Sequence, residues 1–435
     1  MLSLLGYRVM AGLYFDKLFF FAKSPLGMFL KHIIVFFLTL LFLSTIVPVS
    51  AKSTPPSKIE IEFNKLFKRA MRVNHIPGAT YAIVRGDRVS TIKAYGVRGQ
   101  KNNKAIDKDT SFRLASVSKT FSAELAALMI EKKSFAWNDS IVDYIPEFKL
   151  KQAGQAEAIT IKHVLSHSSG LMPNAFDGYL KGGFQFSHII SKFEALEPYC
   201  SPGACYGYQN VLFSFIAEVF KRSTGKAYAE LMQQMIFSPL AMNNASVGFD
   251  AYKNTTNKAY PHVKVSRNGP WHQVKIKPDF YKVEAAAGIN ASITDMSKWL
   301  LAQLGHTPEV ISAHLLETVR EPVVSTEKDV KSRTWKGIID DAHYGIGWRV
   351  YQYNEDILYF HSGWVEGFRA VIAYSKDKQI GLVILANAES RSIDKLTVDF
   401  WRLLLKEPSV KETLLVKDIK PVKANRSVKD IKSSF

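Results

Sequence analysis

Between residues 59 and 73 apolar side chains recur at helical spacing, at Ile59, Phe63, Leu66, Phe67, Ala70 and Met71, and the run stops short of Pro77-Gly78. A stripe of that period predicts a helix with one face on a core, and a Pro-Gly pair predicts its end. The period then shortens. Residues 79–84 and 90–95 read as strands flanking the polar Arg85-Gly86-Asp87-Arg88, a β-hairpin pattern. Past residue 116 a long apolar stretch containing Ala123, Ala126, Leu128, Met129 and Ile130 predicts a second helix, and strand patterning largely disappears.

Further helices are predicted at 159–165, entered through Thr160 and closed by Ser166-His167-Ser168-Ser169-Gly170-Leu171, and at 210–221 and 227–236, joined by Arg222-Ser223-Thr224-Gly225. Another spans 294–304, opened by Thr294 with Asp295 in its first turn. From His343 the pattern returns to strands at 345–351, 357–361, 368–374 and 380–386, with a turn at Ser375-Lys376-Asp377-Lys378 and a closing helix at 393–405. Strands near both ends and a helical middle predict an α+β fold. In it one antiparallel β-sheet, drawn from about 79–97 and 345–387, is flanked by helices, and residues of about 120–300 form a mostly helical second lobe.

Length and composition set the frame around that pattern. At 435 residues and 47% hydrophobic content the chain can bury a large core, and it is long for one compact unit. Residues 33–47 are an apolar run of signal-peptide length, preceded by Lys31 and followed by Val49-Ser50-Ala51, which has the small-x-small pattern of a cleavage site. The expectation is a leader over 1–51, with Met28 as a more conventional start, and a periplasmic or secreted protein cut after Ala51. A retained leader would instead anchor it, although the run is shorter than the roughly 20 apolar residues a span needs. Residues 52–57 read as a Ser/Pro linker and 58–406 as the main folded domain. The basic tail at 407–435 repeats Val-Lys-Asp-Ile-Lys at 416–420 and 428–432 and is expected to be disordered.

The net charge is +18, and the leader's four basic residues and one acidic residue leave the remainder at +15. That balance favours an anionic envelope surface. The lysines are dispersed and no binding motif accompanies them, so nucleic acid is not an expected partner. The two cysteines, Cys200 and Cys205, admit two readings after export: a disulfide closing a small loop, or two unpaired thiols. They are too few for a zinc site.

The candidate chemistry centres on Ser116-Val117-Ser118-Lys119. One helical turn separates hydroxyl from amine, so Lys119 can meet Ser116 on the same face. The Ser-x-x-Lys pattern is permissive and recurs from Ser90, Ser223, Ser325, Ser375 and Ser392. Only the copy at Ser116 stands between a strand-like segment and a long helical one. Three other segments share the chemistry. Pro202-Gly203-Ala204-Cys205-Tyr206-Gly207-Tyr208-Gln209-Asn210 delivers Tyr208 and Asn210 from a turn, His361-Ser362-Gly363 closes a strand ahead of Gly367-Phe368, and Ala286-Ala287-Gly288-Ile289-Asn290 precedes the 294–304 helix.

In this order the motifs resemble the serine β-lactamase and penicillin-binding protein superfamily, closest to class C β-lactamases and related D-alanyl-D-alanine carboxypeptidases and esterases. The resemblance covers about 60–405 and includes 165–171 and 380–387. It implies a β-lactamase/transpeptidase-like fold and a serine hydrolase acting on a small molecule, most simply a β-lactam, with a D-Ala-D-Ala-like peptide or an ester as alternatives; a non-catalytic cell-wall-binding protein that keeps the fold is the competing reading from another class. It further implies Ser116 as nucleophile, Lys119 and Tyr208 as a shared proton-handling pair, and Asn210 as a ligand of Lys119 and of the substrate amide. His361, Ser362, Gly363 and Trp364 would bind substrate, with the amides of Ser116 and Trp364 as the oxyanion hole. No metal or organic cofactor is implied. Oligomeric state is open.

A serine attacking a carbonyl needs a base that is free at neutral pH, whereas Lys and Tyr titrate near 10 in water. Burial is expected to pull Lys119 down and a neighbouring cation to pull Tyr208 down. One departure stands out: class C enzymes carry lysine and threonine where this chain has His361 and Ser362. A histidine there would hold a substrate carboxylate only when protonated, so activity on such substrates is expected to fall as pH rises through its pKa. His167, in a turn, is read as structural.

Overall fold

The computed structural model describes residues 57–405 apart from 102 and 267, so the expected leader, most of the linker and the tail lie outside the described residues. Helix α1 (Lys58–Val73) is opened by a capping box in which the Ser57 hydroxyl accepts from Glu60 N–H and the Glu60 carboxylate accepts from Ser57 N–H. Ser57 thus begins the fold and does not belong to the linker. The hairpin follows as β1 (Gly78–Arg85) and β2 (Arg88–Gly96).

The main sheet has eight strands in the order β2-β1-β13-β12-β11-β10-β9-β8. Its late members are β8 (Val324–Ser325), β9 (Asp341–Tyr344), β10 (Arg349–Tyr353), β11 (Asp356–Val365), β12 (Phe368–Ser375) and β13 (Ile380–Ala386). As expected of a sheet built by both ends of the chain, β1 pairs antiparallel with β13, from Ala79↔Ala386 to Arg85↔Ile380.

Alternate residues feed two cores. On β1, Ala82 and Val84 face the helical lobe while Ala79, Tyr81 and Ile83 face α1, and β13 splits likewise, with Val383 and Leu385 opposed to Leu382 and Ile384. Strands buried on both faces read as continuous apolar runs, which is why 380–386 carries no polar position. The outer core is closed by α1 and the last helix, at Ser392–Leu405, where Phe63 meets Phe400 edge to face at 5.3 Å.

The middle is helical but not free of strands. Short β3 (Phe112–Arg113), β4 (Ser246–Val247) and β7 (Ile289–Ala291) form a sheet in the order β3-β7-β4, and β5 (His262–Lys264) pairs with β6 (Trp271–Gln273). Its central helix, α2 (Ser118–Glu131), is buried on nearly every side. Its buried positions include polar Ser118, Lys119, Thr120, Ser122 and Glu124 as well as the apolar run that predicted the helix.

Several predicted boundaries move. The strand expected at 345–351 begins instead as a tight turn, in which Gly345 N–H bonds Trp348 C=O at 2.8 Å, and only its end belongs to β10, with β9 lying ahead of it. A Cβ on Gly347 (φ +72°) would sit 2.6 Å from the Lys119 carbonyl oxygen, so only glycine lets this turn lie on α2. The 294–304 helix starts at Ile293 and is capped by Ser292, whose hydroxyl accepts from Asp295 N–H. Thr294 instead donates to the Lys108 carbonyl at 2.9 Å. The helix expected at 210–221 runs over Phe215–Thr224, after a 3-10 turn at Leu212–Ser214.

Behind α2 lies a carboxyl that none of these motifs calls for. Glu124 is fully buried, and neither of its oxygens, nor Gln303 Nε2 or Trp348 Nε1, makes a well-formed hydrogen bond. Burial pushes its pKa up to about 8; Arg320, Gln303 and Trp348 pull the other way and are outweighed. The folded protein therefore binds a proton there that the unfolded chain releases above pH about 4.5, and stability from this group declines as pH rises towards 8. Glu124→Gln should remove that slope. At pH 8 the variant is expected to be more stable than wild type by on the order of a few kcal/mol, with little difference at pH 4.5, read by urea denaturation at both values. A difference that does not vary with pH would contradict it.

Candidate active site

Four of the expected residues converge. Strand β3 leads into a 3-10 turn at Ala115–Val117, with Ala115 held at φ +49°, and this reversal presents Ser116 at the start of α2, partly exposed in a largely buried surround. The turn is clamped from both sides. Ser118 Oγ accepts from Ile289 N–H of β7 at 3.0 Å, so the second hydroxyl of the motif is structural. Gly363 of β11 passes so close that a Cβ there would lie 2.1 Å from the Leu114 carbonyl oxygen.

Lys119 is fully buried. Its Nζ donates to Asn210 Oδ1 at 2.8 Å and to the Ala286 carbonyl at 3.1 Å, and lies 3.4 Å from Ser116 Oγ. It also stands 4.7 Å from the centre of the Tyr208 ring and 5.3 Å from that of Phe213. Desolvation is the main cause that lowers its pKa to about 7; Arg349 adds to this and Asp177 opposes it. At neutral pH much of this lysine is a free amine with its lone pair available.

Tyr208 moves the other way. Its hydroxyl interacts with Ser116, but burial holds its pKa well above the ordinary tyrosine range, and the opposing pull of Ser116 and Arg349 is smaller. The expectation of a depressed tyrosine is corrected: Tyr208 keeps its proton and can give a hydrogen bond. Its position is set by backbone bonds that tie 203–209 to the turn at 167–174, namely Gly203 N–H to Ser168 C=O, Gly207 N–H to His167 C=O and Asn174 N–H to Tyr208 C=O. Cys200 and Cys205 form a disulfide, Cα atoms 6.3 Å apart, closing the loop just before. His167 is buried, accepts from Gln209 N–H through Nδ1 at 3.2 Å, and packs its ring 4.2 Å from that of Tyr208.

Asn210 caps no helix; both ends of its amide are used inside the site, since Nδ2 donates to Asp177 Oδ2 at 2.7 Å. That explains why the following helix starts late. Ala286, from the third sequence signature, contributes its carbonyl to Lys119 and is held by its own N–H to Ser214 Oγ at 3.1 Å.

His361 is where expectation and structure part. It lies on β11, buried, with Tyr344 O–H donating to Nε2 at 3.0 Å and Nδ1–H donating to the Ser362 carbonyl at 3.0 Å. Both nitrogens are satisfied in the neutral ring. Burial, with Arg349 and Lys119 nearby, drives its pKa well below the ordinary histidine value. The predicted loss of activity as His361 deprotonates near neutrality is therefore withdrawn, because the ring carries no charge there to lose.

The cation on this side is one that motif reading missed. Arg349, on β10, pairs with Asp329, bonds the Tyr206 hydroxyl at 3.3 Å and lies 5.7 Å from the Tyr344 ring. It occupies a strand position without motif, so only the fold brings it here; the same holds for Asp177.

Beyond His361 the sheet is open on one side. β10 pairs with β11 only from Arg349↔Phe360 to Tyr353↔Asp356, whereas β12 continues alongside to Val365↔Phe368. Residues 361–365 therefore present a strand edge free of β10. Ser362 is half-buried on it, and Trp364, 63% exposed, lies over the Arg369 guanidinium, 5.4 Å from ring centre to carbon. Among the described residues no three His, Cys, Asp or Glu side chains gather as metal ligands. The arrangement offers an accessible hydroxyl, a deprotonatable amine beside it, a protonated phenol and a free strand edge. These are the parts acyl transfer needs.

Comparison with known proteins agrees with the architecture. Residues 63–404 match the Beta-lactamase family. Protein flp of Staphylococcus aureus (strain N315) is 24% identical over 339 residues, covering 77% of this chain and 64% of that protein. Unguisins hydrolase ungD' of Aspergillus campestris is 24% identical over 340 residues, covering 76% and 62%. The chain thus spans less than two thirds of the length of these curated relatives. Among solved structures, the octameric penicillin-binding protein homologue from Pyrococcus abyssi superposes with a TM-score of 0.68 at 20% identity, over 79% of this chain and 76% of that one. A class C beta-lactamase superposes with a TM-score of 0.65 at 19% identity, over 82% and 99%. At such identities the shared property is the fold.

Proposed function

The chain belongs to the beta-lactamase family, and from that footing we propose that it is a serine hydrolase that carries an acyl group on Ser116 and releases it to water, with β-lactams as substrates. The observation that carries this reading is the Lys119 amine, 3.4 Å from Ser116 Oγ and titrating near 7. In the proposed reaction Ser116 Oγ attacks the carbonyl carbon as its proton passes to Lys119 Nζ. Collapse of the tetrahedral intermediate breaks the bond to the leaving nitrogen or oxygen, which takes up a proton, and water then cleaves the ester on Ser116. Tyr208, protonated and in contact with Ser116, is a hydrogen-bond donor throughout, and Asn210 holds Lys119. The free edge at 361–365, with the amides of Ser116 and Trp364, supports binding of a planar carbonyl compound.

A second reading has its own support. With His361 neutral and Arg349 engaged by Asp329, a substrate carboxylate finds no unpaired cation there among the described residues. That favours uncharged acyl donors, and so an esterase; a D-alanyl-D-alanine peptidase is the third outcome. The apolar run at 33–47 and the Cys200–Cys205 disulfide support an exported, periplasmic or secreted protein.

The deciding experiment incubates purified 52–435 with a chromogenic cephalosporin, a labelled penicillin and an uncharged aryl ester, beside Ser116→Ala. Turnover of the cephalosporin supports the β-lactamase, a lasting penicillin adduct the peptidase, and turnover of the ester alone the esterase. No Ser116-dependent reaction with any of them overturns the proposal.

A further inference from the structure

The Asn210 amide is held at both ends by groups that demand opposite polarity. A carboxylate only accepts hydrogen bonds, so Asp177 Oδ2, 2.7 Å from Nδ2, admits one of the two flips of the amide. In that flip Oδ1 is the atom that meets Lys119 Nζ, at 2.8 Å. In the other flip the lysine would face an NH2 and lose its acceptor. Holding this carboxylate in place has a cost, because Asp177 Oδ1 is buried without a hydrogen-bond partner and no cation lies within ion-pair distance among the described residues. The chain turns sharply to present it: Phe176 has φ +64°, and Asn174 N–H is bonded to the Tyr208 carbonyl at 2.7 Å, stitching this segment to the one that carries Tyr208 and Asn210.

We propose that Asp177 is a positioning residue for acyl transfer, which fixes the end of Asn210 that meets Lys119 and lays a negative charge behind the amine. This rests on the reading of Lys119 as the base. The groups facing Lys119 are Ser116, Tyr208, Asn210, the buried neutral rings of His167 and His361, and two charges of opposite effect: Asp177 favours the ammonium form and Arg349 opposes it. Burial raises the pKa of Asp177 itself, while Asn210, Lys119 and Lys181, which it faces, favour its carboxylate form. Removing its charge leaves Arg349 unopposed, so the proton on Lys119 becomes easier to lose.

The test uses Asp177→Asn, which is isosteric but can donate or accept and so no longer dictates the flip of Asn210, and Asp177→Glu, which keeps the charge. Lysine labelled with 13C at Cε reports the titration of Lys119 by NMR, its signal identified by its loss in Lys119→Met. The expected result is a Lys119 midpoint moved to lower pH in Asp177→Asn and near the wild-type value in Asp177→Glu. The acylation rate should fall about 10- to 100-fold in Asp177→Asn and less in Asp177→Glu. An unmoved midpoint in Asp177→Asn, or equal losses in both variants with no change in pH profile, overturns the proposal and leaves Asp177 a structural residue. The midpoint is read without substrate. A chain inert to every acyl donor would therefore sink the functional reading alone, and an unmoved midpoint in an active enzyme would sink only this one.

Discussion

Ser116→Ala is expected to abolish formation of the acyl adduct and to lower turnover of any accepted substrate by about a thousandfold or more, while leaving the fold intact. The expectation follows from position as much as from chemistry. Ser116 is partly exposed at the head of α2, and its hydroxyl meets Lys119 Nζ at 3.4 Å and the Tyr208 hydroxyl, whereas Ser118 and Thr120 spend theirs on the backbone. Losing that hydroxyl removes no support from β3, β7 or α2, so stability should change by less than about 1 kcal/mol. Intact-mass spectrometry after penicillin or ester treatment reads the adduct, and thermal melting reads the fold. Adduct formation persisting in a folded Ser116→Ala protein would falsify the assignment of the nucleophile.

Lys119→Met should produce the second-largest loss, about 100- to 10,000-fold in acylation, the range for removal of a general base. Wild-type acylation is expected to carry a distinctive pH signature. A base with its pKa near 7 must be unprotonated, so acylation rises through pH 6 to 8 and then levels. His167 and His361 are pushed well below the histidine range and Tyr208 well above the tyrosine range, so none of them adds a limb near neutrality. Residual activity in Lys119→Met should lose the acid limb. The same variant should melt at higher temperature at pH 7. A buried amine with a depressed pKa binds fewer protons than the unfolded chain between about 7 and 10.5, so in wild type this group's contribution is poorest at the acid end of that window and improves as pH rises. A variant that keeps the acid limb would show that another group is the base.

Much of this site was legible before the structure, for a reason that can be stated residue by residue. Ser116, Lys119, Tyr208 and Asn210 sit in short local patterns, each of which the backbone turns one way: a strand-to-helix reversal at 115–117, a Pro-Gly turn ahead of 208. What escaped is what depends on groups meeting across the fold. Asp177 opens a short helix (Asp177–Lys181) that no motif marks, and Arg349 lies on a strand whose alternation carries no mark of function; nothing in their neighbours' identity predicts that both would bear on one amine. His361 was found, but its charge depends on Tyr344 donating to it from another strand and on the depth of β11, neither of which is a property of residues 361–363. The misplaced start of the 294–304 helix is the same lesson at small scale. Ser292 and Thr294 are both good caps, and the choice was made by Lys108, whose carbonyl claims the threonine.

The pairing of β1 with β13 reaches beyond the resting enzyme. Ala79 and Ala386 sit side by side near one side of the sheet, so β13, which feeds both cores, pairs with a strand far from it along the chain. Until β13 pairs with β1, the hairpin and the helices lack the element that locks them together. Contacts this distant in sequence form slowly. Closing the sheet is therefore a late step of folding, and a truncation ahead of residue 380 would leave the helical lobe and α1 with no common surface to close upon.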